Sequence, residues 1–106
     1  MSNLVNTNYQ INTNYQSDSL SKIREQIDEI NLKIVDLLHQ RYQLTAEVAR
    51  YKKQFNLPIK DLEREKLMFS KIKSAVSILG LPVEEVIRIF EIIVEYTYKQ
   101  QENILK

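Results

Sequence analysis

The chain carries polar side chains at places where a regular apolar pattern calls for aliphatic ones. Between Leu37 and Leu44 the three-four alternation of apolar residues predicts another, and Arg41 stands there; eleven residues on, three helical turns, Lys52 points nearly the same way. Glu65 interrupts a second stripe between Leu62 and Phe69, with Asp61 one turn earlier and Arg64 beside it. A third stripe, Phe90, Ile93 and Val94, runs on into Thr97 and Gln101, a hydroxyl and an amide four residues apart. Burying such groups without partners costs about 1 to 3 kcal/mol each, and more for charges.

Taken singly, each interruption has a plain structural explanation. Arg41 and Lys52 can snorkel out of a core, Glu65 can pair with Arg41, and Thr97 with Gln101 can mark a frayed helix end. Taken together they are cationic on one segment, acidic on the next and neutral hydrogen-bonding on the third, which describes the lining of one anion-binding pocket. Arg24 adds a geometric constraint. On a straight helix it lies about 26 Å from Arg41 and about 42 Å from Lys52, so any pocket it shares with them belongs to a partner chain.

Composition excludes other chemistry. There is no cysteine and a single histidine, His39, so thiolate nucleophiles, disulfides and His or Cys metal clusters are ruled out. Fifteen basic residues against fourteen acidic ones, a formal charge of +1, form no block that would favour nucleic acid or an anionic membrane. No apolar run approaches the roughly 20 residues of a bilayer span, and the N-terminus lacks the pattern of a secretory signal, so the expected location is the cytoplasm.

The elements that must position these residues are helical. In 106 residues, 43% of them apolar, there are one glycine and two prolines, which points to a single, mostly helical domain without a sheet. Leu20, Ile23, Ile27, Ile30, Ile34, Leu37, Leu44, Val48, Tyr51 and Phe55 trace one long amphipathic helix, uninterrupted by Gly or Pro. About 36 helical residues reach about 54 Å, beyond the span of a compact domain of this size, so this helix needs a partner along its length. Asn56, Leu57 and Pro58 end it; a second helix is expected over Asp61 to Leu79, stopped by Gly80, and a third from Pro82 toward Leu105.

The constellation Arg24, Arg41, Lys52, Asp61, Arg64 and Glu65, with Thr97 and Gln101 late in the chain, resembles the all-α chorismate mutases. So do the stretches IREQIDEIN, LLHQR, AEVARYK, DLEREK and IFEIIVEY, from Leu20 to about Leu105. The resemblance implies an all-α fold of three helices, one very long, in an intertwined homodimer. It implies that Arg41 and Arg64 bind substrate carboxylates together with Arg24 from the other subunit. Lys52 and Gln101 would contact the ether oxygen of the breaking bond, and Asp61 and Glu65 the ring hydroxyl. Thr97 stands where many members carry serine and keeps the hydroxyl. The implied reaction, chorismate to prephenate in phenylalanine and tyrosine biosynthesis, is pericyclic and needs no cofactor. An activating pathway enzyme is compatible with the resemblance, although no residue is assigned to it.

Two alternatives compete. Isochorismate-pyruvate lyases resemble the same fold but tend to lack the acidic turn seen at Asp61 to Glu65. A non-enzymatic helical dimerisation module explains the stripe from Leu20 to Phe55, but not Lys52, Glu65 and Gln101 together. His39 is expected to face solvent, and Tyr96 and Tyr98 are expected to pack without a chemical role. Residues 1–19, which contain the pentapeptide NTNYQ twice, read as a disordered polar leader with no assigned function.

Overall fold

The computed structural model describes residues 13–106, with side chains from residue 18 onward. Three α-helices follow one another: α1 over Thr13–Gln54, α2 over Leu62–Leu79 and α3 over Val83–Leu105, with no strand among the described residues. The expected all-α architecture with one very long helix is therefore present. The long helix starts at Thr13, earlier than the expected Leu20, so the last part of the polar leader continues the helical ladder. Residues 1–12, with the first NTNYQ copy, lie outside the described residues.

Each helix boundary has a local cause. After α1, Asn56 takes a left-handed conformation (φ 53°) that a short polar side chain tolerates. The Leu57 N–H then reaches back to the Lys52 carbonyl at 2.8 Å, closing a Schellman-type end. Pro58 disfavours further helix at Leu57. Asp61, in extended conformation, caps α2 by accepting a hydrogen bond at Oδ1 from the Arg64 N–H at 3.0 Å. Gly80 (φ 71°) ends α2, with its N–H on the Ser77 carbonyl at 3.2 Å and that of Leu81 on Val76 at 3.1 Å. Pro82 precedes α3, whose first turn carries Glu84 and Glu85 against the positive end of the helix dipole.

The chain divides into two compact units, Met1–His39 and Gln40–Lys106. The described part of the first is a helical segment whose apolar stripe stays open, with Ile23, Ile27, Ile30, Ile34 and Leu37 all at least half exposed. His39 is exposed, as expected.

In the second unit α2 packs against α3, while the last turns of α1, from Gln40, are tied to α3 largely by polar groups. Gln100 and Gln101 are only 4% and 3% exposed, as deeply buried as the apolar Ala49 and Val76. Thr45 Oγ1 donates to Gln100 Oε1 at 2.6 Å, and Gln100 Nε2 donates to the Tyr42 carbonyl at 2.8 Å. No buried side-chain nitrogen or oxygen among the described residues lacks a partner, as a polar helix contact requires. Tyr42 and Tyr96 stack at 5.4 Å between ring centroids, so Tyr96 packs while remaining largely exposed.

Candidate active site

Within the second unit the end of α1, the loop after it, the first turn of α2 and the C-terminal half of α3 enclose a cavity of about 180 Å³. Seven of the eight residues singled out in the sequence line it: Arg41, Lys52, Asp61, Arg64, Glu65, Thr97 and Gln101. Val48, Met68 and Val94 supply its apolar wall. The eighth residue, Arg24, is exposed and belongs to the first unit.

Helical phase explains the convergence. Arg41, Thr45, Val48 and Lys52 succeed one another at intervals of four, three and four on α1, and Val94, Thr97 and Gln101 do so on α3. The cap at Asp61 starts α2 so that Arg64 and Glu65 fall in its first turn.

Arg41 donates to Thr97 Oγ1 at 2.6 Å, and Thr97 donates its own proton to the Ile93 carbonyl at 3.0 Å. The threonine hydroxyl is thereby committed in both directions and fixes the guanidinium. Burial, and then the neighbouring Arg64, hold the Arg41 guanidinium below its ordinary range. Lys52 Nζ donates to the Ile59 carbonyl and to Gln101 Oε1, the latter at 3.3 Å. Burial lowers the Lys52 ammonium from the usual lysine value, against a smaller opposing effect of Asp61. Gln101 Nε2 donates one hydrogen to the Thr45 carbonyl at 3.5 Å, which leaves its second hydrogen for another acceptor.

Salt bridges on the exposed face of α3 join Arg88 to Glu91 and Glu95. Arg41, Lys52 and Arg64 line one small cavity together with Asp61 and Glu65 but form no salt bridge with either carboxylate, and Glu65 does not pair with Arg41. This arrangement favours an anion between the cations, which would relieve the repulsion of Arg41 by Arg64 and replace the hydration that Arg41 and Lys52 lose by burial.

Sequence reasoning missed three participants. Tyr98, expected only to pack, donates its hydroxyl to Glu65 Oε2 at 2.5 Å and lines the cavity. Thr45 joins the wall, at helical spacing from Arg41 that could have flagged it. The Ile59 carbonyl holds Lys52, and a backbone acceptor in a loop has no sequence signal.

The family described as chorismate mutase type II matches residues 23–102. A chorismate mutase of Methanocaldococcus jannaschii is 35% identical over 89 residues, which cover 84% of this chain and 90% of that protein. A bifunctional chorismate mutase/prephenate dehydratase of Buchnera aphidicola is 34% identical over 85% of this chain, and the T-protein of Enterobacter agglomerans is 38% identical over 65% of it. The chain spans only 23% and 19% of the lengths of those two larger proteins. A match running from α1 through the whole cavity lining to α3 shows that this chain belongs to the type II chorismate mutase family.

Proposed function

We propose that the chain is an isomerase that rearranges chorismate to prephenate, serving phenylalanine and tyrosine biosynthesis, and that it works as a homodimer in which each site takes Arg24 from the other subunit. The observation that carries the reading is the set of three cations, Arg41, Lys52 and Arg64, around one cavity without salt-bridged carboxylates.

Chorismate is a dianion with two carboxylates, a ring hydroxyl and an ether oxygen. Arg41, Arg64 and the partner subunit's Arg24 bind the carboxylates and hold the flexible substrate in the compact chair in which the reacting carbons meet. Thr97 acts through Arg41, whose guanidinium it fixes. Asp61 and Glu65 hold the ring hydroxyl, whose single proton goes to Glu65 with the Asp61 carboxylate beside it. As the C–O bond breaks ahead of C–C bond formation, negative charge grows on the ether oxygen. Lys52 and the second amide hydrogen of Gln101 meet that charge, binding the transition state more tightly than the substrate. No group of the protein forms a covalent bond.

Support for the dimer comes from the apolar surface. A chain of this size ordinarily hides about 60% or more of its surface on folding. Here Ala49 and Val76 are the only fully buried apolar residues among those described, while Ile23, Ile27, Ile30, Ile34 and Leu37 form an exposed stripe. A second copy covers such a stripe and brings its Arg24 with it.

Complementation tests the whole reading. Arg24→Ala and Lys52→Ala should each be nearly inactive alone. Unfolded and refolded together, they should recover about a quarter of wild-type activity per chain, because half the dimers are mixed and each mixed dimer holds one complete site. No recovery from a mixture shown to contain mixed dimers would overturn the shared site. A wild-type protein that leaves chorismate unchanged would overturn the activity.

A further inference from the structure

Glu65 stands at the border of two hollows. It lines the cavity described above and also the neighbouring cleft between α2 and α3, which contains Lys66 and Lys73. A glutamate side chain has several freely rotating bonds, so its carboxylate needs a partner to fix it at the border of the two hollows. The contact on the substrate side comes from Tyr98, whose hydroxyl donates to Oε2 at 2.5 Å, within the short range of a hydroxyl on an ionised carboxylate. The Tyr98 ring is itself restrained. It is half-buried, one residue after Thr97 on α3, with Lys60 Nζ 5.7 Å from its centroid. Burial, the bond to Glu65 and the charges of Glu65 and Asp61 push the Tyr98 hydroxyl up to about 12, so it remains a donor at any working pH.

A carboxylate has two oxygens, and Tyr98 occupies one of them. We propose that Tyr98 is a positioning residue: by holding Oε2 it keeps Glu65 on the substrate side and presents Oε1 to the ring hydroxyl, so that Tyr98 sets the preference for a hydroxylated substrate. This rests on the reading of Glu65 as a partner of that hydroxyl.

The test is steady-state kinetics on chorismate and on the analogue with hydrogen in place of the ring hydroxyl. The proteins are wild type, Tyr98→Phe, Glu65→Ala and the double variant, each checked for unchanged helicity and melting. Tyr98→Phe keeps the ring over which Lys60 sits. It should lower kcat/KM for chorismate about tenfold, the size of one charge-assisted hydrogen bond, and leave the analogue within about twofold. In the Glu65→Ala background the same change should have no further effect. An equal loss on both substrates, or an undiminished loss without Glu65, would mean that Tyr98 acts through packing and would overturn the proposal. If wild type discriminates between the substrates and Tyr98→Phe discriminates equally well, the proposal fails while the reading of Glu65 stands. If wild type does not discriminate, both fail together.

Discussion

Replacing Lys52 by alanine separates binding from catalysis. In the folded chain the ammonium contacts two carbonyl oxygens, of Ile59 and Gln101, and no carboxylate. Its removal leaves two acceptors on a cavity wall that water can reach, so the stability change should stay below about 1 kcal/mol. The rate should respond differently. Removing one preorganised donor from a site of developing negative charge costs about 2.7 to 4 kcal/mol, or about a hundred- to a thousandfold in kcat. Lys52 carries a full charge and is partly desolvated, which puts its loss at or beyond the upper end of that range. The ether oxygen of the substrate is uncharged before the bond stretches, so KM should move much less than kcat. Disappearance of chorismate absorbance, with prephenate confirmed by acid conversion to phenylpyruvate, measures both constants, and a thermal melt measures the fold. A variant with unchanged melting and kcat within tenfold of wild type would refute the reasoning, as would a loss carried entirely by KM.

Thr97→Val keeps the shape of the side chain but removes the acceptor for Arg41, and should raise KM about five- to tenfold, with Thr97→Ser restoring it; unchanged KM would show that Arg41 needs no such support. Raising the pH should abolish activity through Lys52 below the usual lysine value of about 10.4, because burial lowers that group. A cation whose pKa is lower folded than unfolded releases its proton first in the native state. Its contribution to stability therefore rises with pH between the two values while activity falls, and kcat and melting followed together from neutral to alkaline pH check both signs. Gly80→Ala should cost about 1 kcal/mol, since φ is 71° and an added Cβ would meet nothing within 4 Å; melting should drop by several degrees with kcat unaltered.

Helix ends were the most legible part of the sequence, because each rests on the stereochemistry of one or two residues: Asn56 before Leu57 and Pro58, Gly80, and Pro82. The start of α1 was not legible. Asn, Thr and Ser are weak helix formers, yet an established ladder extends through them to Thr13. The stripes were legible as helix faces, but periodicity does not say what covers a face, and most of these residues are exposed in the single chain. At the site, phase located Arg41, Lys52, Thr97 and Gln101 by the gaps they leave in apolar rows. It could not expose Tyr98, since an aromatic residue beside a stripe reads as packing and only the position of Glu65 reveals its hydroxyl as a donor. Gln100, in a polar helix end, reads as solvated, whereas it spends both ends of its amide on α1.

Asp61 has a consequence for anyone who would redesign this chain for a different substrate. Its Oδ1 starts α2, and the same carboxylate forms part of the cavity wall. A library randomised at that position selects for helix initiation as well as for ligand preference, because each member without a capping side chain loses about 0.5 to 2 kcal/mol for reasons unrelated to the chemistry. Glu65, in the first turn but free of any capping duty, is where selectivity can be varied at the cost of one side-chain contact, that with the Tyr98 hydroxyl.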